Sequence, residues 1–79
     1  MKYDHRVTGQ VIGTLRVQRG LSQSKLATKA GLARSHLAMI ECGHKSASVE
    51  TLWELACALG MRISSLMCLV EDRMQQMEE

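Results

Sequence analysis

Two short helical patterns joined through Gly31 constrain the fold of this chain more than any other stretch. In the first pattern, Leu26, Ala27 and Ala30 fall on one face of a helix. Ser22 precedes this face with the short polar side chain that an N-cap requires. Gly31 follows it and can close the helix in the left-handed conformation without strain. The stretch therefore predicts a short helix that begins just after Ser22.

A second helical pattern extends from Ala33 to Cys42 and ends at Gly43. Its apolar stripe contains Leu37 and Ile40, which are three residues apart. Two helices joined by three or four residues around a glycine form a helix-turn-helix unit. The same spacing also fits an αα-hairpin whose outer face only meets water, because most charged helix faces are solvated.

The side chains in the first turns of the second helix are candidates for contacts with bases, because that part of a recognition helix meets base edges in the major groove. Arg34 can pair bidentately with guanine, and Met39 can contact a thymine methyl group. The free amides at the start of the first helix can hold a phosphate oxygen. The loop that contains Lys45 is typical of loops that contact the DNA backbone. The predicted DNA-contacting residues are Ser22, Gln23, Ala33, Arg34, Ser35, His36, Met39 and Lys45.

Charge is distributed unevenly along the chain although the formal net charge is only +2. Residues 1–45 contain eight Lys or Arg and two acidic residues, a balance of +6. Residues 46–79 contain two basic and six acidic residues, a balance of −4. The basic half contains the helix-turn-helix pattern and is suited to a polyanion. Chance clustering in a short chain is the alternative.

The composition argues against several classes of protein. The 79 residues make one domain, and no stretch approaches the roughly 18 to 20 apolar residues of a membrane span. The three cysteines form no C-x-x-C pair and the N-terminus lacks a signal peptide, which together favour a cytoplasmic location. No catalytic set or nucleotide-binding glycine pattern is present, so we expect neither enzymatic activity nor a cofactor. His36, Cys42 and His44 match no standard zinc spacing, so we expect no metal site.

The N-terminal segment predicts a flexible arm followed by a helix. Residues 1–8 are polar and mixed, which is typical of a frayed terminus. The first helix is predicted from about Thr8 or Gly9 to Gln18. Gly9 and Gly13 each weaken this helix by up to about 1 kcal/mol relative to alanine. Packing must therefore hold the helix, or a neighbouring backbone must come close to it.

The C-terminal part carries more apolar surface than a small monomer needs. Ser48 predicts the cap of a fourth helix that stops at Gly60, and a last helix is predicted from Ile63 to about Gln76. Burial of this surface against a second copy predicts a homodimer, with residues 67–79 as a dimerisation extension. The alternative is a frayed amphipathic tail. The predicted interface residues are Trp53, Leu66, Leu69, Val70, Met74 and Met77.

From Gly9 to Leu66 the chain resembles the lambda-repressor-like, Cro-type helix-turn-helix family, also called the XRE family. The segments that carry the resemblance are, in order, G-Q-V-I-G-T-L-R, R-G-L-S-Q, L-A-x-K-A-G-L, I-E-C-G and S-V-E-T-L-W-E-L-A-C-A-L-G-M. The resemblance implies an all-α, compact five-helix domain. It also implies a bacterial or phage-encoded regulator that binds a pseudo-palindromic operator as a homodimer through the helix at residues 33–42.

Individual residue roles follow from the same resemblance. It implies an ion pair between Arg16 and Glu41, and a Gln23 that reaches both a phosphate and a base edge. Ala33 departs from the family, which usually has Ser or Thr at the recognition-helix N-cap, and Cys42 stands where a basic or polar residue is usual. These departures weaken any assignment of a target sequence.

Two small subtypes of the family have the size of this chain: controller proteins of restriction-modification operons and antitoxin-like autoregulators. Two other hypotheses stay open. One is a protein-interaction module on a helix-turn-helix scaffold that reads little or no DNA sequence. The other is redox sensing through Cys42, although an unactivated thiol is far more common.

Overall fold

A computed structural model describes residues 2–78 of the chain. These residues form five helices and no strand, which confirms the predicted all-α, five-helix fold. The helices are α1 (His5–Gln18), α2 (Gln23–Ala30), α3 (Arg34–Glu41), α4 (Val49–Ala58) and α5 (Ile63–Glu78).

A single aliphatic core holds the five helices together. In this core α1 packs against α3 and α5, while α4 packs against α2 and α5. No single helix within residues 2–78 is long and apolar enough to cross a membrane, and α4 with α5 would reach that length only as a pair bent by 104°. The buried apolar residues are Val7, Val11, Ile12, Leu15, Leu26, Ala27, Ala30, Leu37, Ile40, Leu52, Leu55, Ala56, Leu59, Leu66, Val70 and Met74.

Helix ends follow the local chemistry of the sequence. The Ser22 hydroxyl accepts the N–H of Lys25 at 3.1 Å, as the N-cap prediction requires. Ser48 caps α4 in the same way through Thr51. Gly31 closes α2 with φ of 73°, in the left-handed region.

The predicted flexible arm at residues 1–8 is wrong from His5 onward, because residues 5–8 belong to α1. Helix α1 begins at His5, because the Asp4 carboxylate caps it by accepting the N–H of Arg6 at 3.0 Å. Val7 is buried one turn before Val11, and it extends the apolar stripe of α1 towards the N-terminus. Met1, the first residue of the predicted arm, lies outside the described residues.

The predicted dimer interface on α5 is wrong for three residues. Leu66, Val70 and Met74 are spaced four apart and face the chain's own core, so they are not available to a second copy. Leu69 and Met77 remain exposed, at 41% and 61% of their surface. Trp53 on α4 is 59% exposed. Glu79, the last residue of the predicted extension, lies outside the described residues.

Candidate nucleic-acid interface

Helices α2 and α3 pack against each other and are connected by Gly31, Leu32 and Ala33. The Leu32 N–H donates to the carbonyl of Ala27 at 2.8 Å, which satisfies an acceptor at the end of α2. The core residues Leu26 and Leu37, one on each helix, are fully buried. The orientation of α3 relative to α2 is therefore fixed by packing as well as by the turn.

The outer face of α3 presents several predicted DNA-contacting side chains. Arg34 and Ser35 are exposed in the first turn, and Met39 is exposed one turn after Ser35. His36 is only half-buried and lies beside them in sequence. Ala33 stands at the N-cap without a side-chain hydrogen bond. The first turn of α3 thus offers one guanidinium, one hydroxyl and one imidazole.

The helix-turn-helix region contains a single carboxylate, and that carboxylate is neutralised. Glu41 is the only acidic residue between His5 and Val49. Arg16 Nε donates to Glu41 Oε2 at 2.8 Å, and Arg16 Nη2 donates to Oε1 at 3.0 Å. The structure thus contains the ion pair that the family resemblance implied. The hydrogen bonds that Arg16 donates to Glu41 hold the pKa of the guanidinium above its usual range.

The exposed charges of α2, α3 and the loop that follows α3 are all positive. The Glu41 side chain keeps only 10% of its surface exposed, so it contributes little negative potential at the surface. The α2 lysines are four residues apart, and a further arginine and lysine lie on α3 and in the loop that follows it. This arrangement favours an anionic ligand. The exposed basic residues of this region are Lys25, Lys29, Arg34 and Lys45.

The two glycines of α1 allow the end of α3 to lie directly against it. A Cβ at Gly9 would overlap the carbonyl oxygen of Ile40 and lie 3.2 Å from that of Glu41. A Cβ at Gly13 would lie 3.2 Å from Glu41 Oε1. Of the two alternatives that the sequence left open for α1, a closely approaching backbone is present at Gly9, and it is the last turn of α3. Side chains larger than hydrogen at residue 9 are incompatible with this contact.

Two contacts at the site were not foreseen from the sequence. Gln23 Nε2 donates to Glu41 Oε1 at 3.2 Å, which joins the start of α2 to the end of α3. A ring nitrogen of His5 lies 3.0 Å from the carbonyl oxygen of Gly43, which joins the start of α1 to the loop after α3. Both contacts connect residues from separate helices, and no local motif predicts them.

The loop after α3 is exposed and includes Lys45. The thiol of Cys42 is exposed as well, and its Sγ lies 3.0 Å from Nδ1 of His44. His36, half-buried on α3, is not joined to this pair by any hydrogen bond in the described residues. Residues 2–78 contain no group of three or more His, Cys, Asp or Glu side chains placed to hold a metal ion.

The fold and the basic α2–α3 pair define a helix-turn-helix domain, and comparison with known proteins agrees. A family model described as helix-turn-helix matches residues 12–66, which is more than half of the chain. The chain therefore belongs to this family, the XRE-type helix-turn-helix proteins.

Relatives of known name are regulators. The immunity repressor protein of Bacillus phage phi105 is 45% identical over 58 residues, which cover 73% of this chain and 40% of the repressor. The chain thus spans less than half the length of that relative. The restriction-modification controller protein C.AhdI from Aeromonas hydrophila is 36% identical, with a TM-score of 0.77 over 80% of this chain and 96% of the controller. The biofilm regulator SinR, solved in complex with DNA, is 34% identical, with a TM-score of 0.71 over 76% of this chain and 97% of SinR.

Proposed function

We propose that this chain is a sequence-specific, DNA-binding transcriptional regulator that inserts α3 into the major groove of a pseudo-palindromic operator. The observation that carries the proposal is the exposed face of α3 within a region whose only carboxylate is paired. Arg34 is the principal base-reading candidate, since a guanidinium contacts guanine O6 and N7 bidentately. Ser35, His36 and Met39 complete the base-facing surface, while Ser22, Gln23, Ala33 and Lys45 contact the DNA backbone or its vicinity.

The regulator acts as a homodimer whose two α3 helices lie about 34 Å apart, one turn of DNA. Three predicted interface residues support this assembly, because Trp53, Leu69 and Met77 leave apolar surface exposed on the acidic half of the chain. The match to SinR, which was solved with DNA, supports the DNA partner.

The proposed regulator works in the cytoplasm of a bacterium or of a phage-infected cell. It binds DNA and catalyses no reaction. The nearly full-length match to a restriction-modification controller favours a controller-like autoregulator over an antitoxin-like one. Such a regulator binds the DNA upstream of its own coding sequence.

The test is a salt titration of binding to the DNA upstream of the protein's own coding sequence, compared with a scrambled duplex of equal length. Selective binding is expected, with log Kd changing by about 0.9 per decade of salt for each phosphate neutralised. Arg34→Ala should weaken selective binding by about 1–3 kcal/mol. Arg62→Ala is the matched control, because Arg62 is an exposed arginine between α4 and α5, outside the basic half.

Dimerisation is tested separately by sedimentation equilibrium. Leu69→Glu places a charge on an exposed apolar position of α5 and should produce a folded monomer. Gln75→Glu, at an exposed position on the side of α5 away from Leu69 and Met77, is the control that should leave the dimer intact.

The exposure of Trp53 favours one second candidate, a protein-interaction module that does not read DNA sequence. Arg34→Ala distinguishes the two candidates. A module keeps its activity in this variant, whereas a DNA-reading regulator loses operator selectivity.

A further inference from the structure

A three-residue network connects the structural ion pair to the DNA-facing start of α2. Within residues 2–78, Glu41 Oε2 accepts only from Arg16, whereas Glu41 Oε1 accepts from both Arg16 and Gln23. Arg16 Nη1 also donates to the carbonyl of Leu21 at 2.8 Å, just before α2. The same guanidinium therefore holds the end of α3 and the turn that leads to Gln23.

The carboxylate determines which way the Gln23 amide points. A carboxylate offers only acceptors, so the amide must turn Nε2, and not Oε1, towards Glu41. One of the two N–H groups is then used. The second N–H and the Oε1 acceptor stay available, and Gln23 is half-buried, so part of the side chain still reaches solvent. One N–H donor suits a phosphate, and an N–H together with Oε1 suits an adenine edge.

We propose that Glu41 is a positioning residue for DNA binding, which holds the Gln23 amide in its DNA-contacting orientation before the DNA arrives. The proposal rests on the proposed function. The Arg16–Glu41 pair then contributes to the affinity of the interface in addition to stabilising the fold. Because a glutamine side chain is otherwise free to sample many rotamers, holding it beforehand removes an ordering cost from binding.

The size of the effect follows from the ordering of a single side chain. Immobilising one rotamer-rich side chain on binding corresponds to about a two- to tenfold change in Kd. Loss of the Glu41 contact should therefore weaken operator binding by about this factor, beyond any loss caused by a less stable fold. The effect should require Gln23 to be present.

The test is a double-mutant cycle on DNA affinity with Gln23→Met, Glu41→Gln and the double variant. Gln23→Met keeps the length of the side chain but cannot donate a hydrogen bond. Glu41→Gln keeps the shape of residue 41 but offers one oxygen acceptor where the carboxylate offers two, so Arg16 and Gln23 compete for it and the hold on Gln23 is weakened. Gln10→Met, at an exposed glutamine of α1, is the matched control. The probe is a fluorescent duplex of the protein's own upstream DNA, with a scrambled duplex beside it, and circular dichroism checks that each variant is folded.

The expected result is non-additive. Glu41→Gln weakens selective binding about two- to tenfold in the wild-type background and has little further effect once Gln23 is Met. An equal loss in both backgrounds overturns the positioning role, because Glu41 then acts through the fold alone. Equal affinity of the wild-type protein for the two duplexes overturns the proposed function instead, and the positioning role with it.

A second measurement needs no variant and so does not depend on whether Glu41→Gln folds. Side-chain ¹⁵N relaxation in the free wild-type protein reports motion of the glutamine amides on the ps–ns timescale. The Gln23 amide should be markedly more rigid than the exposed Gln10 amide. Equal mobility of the two amides overturns the proposal.

Discussion

Gly9→Ala is the sharpest test of the packing of α3 on α1. An alanine Cβ at this position would overlap the carbonyl oxygen of Ile40 and lie 3.0 Å from its carbonyl carbon. These are backbone atoms of α3, which no side-chain rotation can move away. The substitution must therefore push α3 off α1 or distort one of the two helices.

Two opposing contributions set the change in unfolding free energy of Gly9→Ala. Alanine is about 1 kcal/mol more favourable than glycine inside a helix. Overpacking of a well-packed contact costs about 1–3 kcal/mol, and a backbone overlap belongs at the upper end of that range or beyond it. The net loss of unfolding free energy in Gly9→Ala should be at least about 2 kcal/mol. For a domain of this size, that loss lowers Tm by about 8–16 °C.

Gly13→Ala is the matched control on the same helix. Its Cβ would lie 3.2 Å from the Glu41 Oε1 carboxylate oxygen, at the end of a side chain that can shift by a few tenths of an ångström. The helix-propensity gain is the same as at Gly9, so the net change should lie within about 1 kcal/mol of zero. Urea unfolding monitored by circular dichroism measures both variants. A Gly9→Ala protein as stable as Gly13→Ala would refute the close approach of α1 and α3.

Three further predictions concern stability. Arg16→Met leaves the mostly buried Glu41 carboxylate without its ion-pair partner and should cost about 3 kcal/mol in urea unfolding; an unchanged midpoint would contradict the structural role of the pair. Leu66→Ala should cost about 2–5 kcal/mol because Leu66 is fully buried, and a change in oligomeric state without a loss of stability would return it to the dimer interface. Hydrogen bonds from Arg6 lower the pKa of Asp4 from 3.8 to about 2. Because the pKa of Asp4 is lower in the folded state, its ionised carboxylate stabilises the protein fully above pH 3.8, and this contribution is lost as the pH falls through about 2. Asp4→Asn should therefore reduce the acid dependence of Tm in that window, and an identical profile would exclude Asp4 as its source.

The helix-turn-helix itself was predictable from the sequence because its signals are local. The hydroxyl of Ser22 predicts the N-cap of α2, and Gly31, which has no side chain, predicts its left-handed end; both are present in the structure. The start of α1 has the same kind of signal in Asp4, which precedes Val7, but a polar terminal segment gives no indication that Val7 finds a core to enter. Local chemistry therefore predicted the ends of α2, where the apolar stripe was evident, but not the start of α1, where it was not.

The apolar stripe of α5 shows where periodicity stops being informative. A stripe at the spacing of Leu66, Val70 and Met74 predicts that this face is buried, but not whether the same chain or a second copy buries it. Only the three-dimensional path of α1 and α4, which pack against α5, decides between them. The residues left for a partner are those off this stripe, such as Leu69, or beyond its end, such as Met77.

The geometry of the site depends on contacts between separate helices, which residue spacing in the sequence does not predict. The glycines of α1 signalled that something comes close, yet the sequence did not name Ile40 as the group that does. Gln23 and Glu41 are 18 residues apart on different helices, and their contact forms only when α2 and α3 pack against each other. The family resemblance supplied the Arg16–Glu41 pair but not this third member.

The structure also shows how the charges of residues 1–45 are distributed, which their sum does not. Summing residues 1–45 treats Asp4 and Glu41 as a general reduction of positive charge. In the fold each carboxylate is bound by one arginine, Asp4 by Arg6 at 2.8 Å and Glu41 by Arg16 at 2.8 Å. The net charge is unchanged, but its distribution is not, because the two neutral pairs leave no free carboxylate within residues 1–45. A polyanion approaching α2 and α3 therefore meets a more uniformly positive surface than the sequence balance alone indicates.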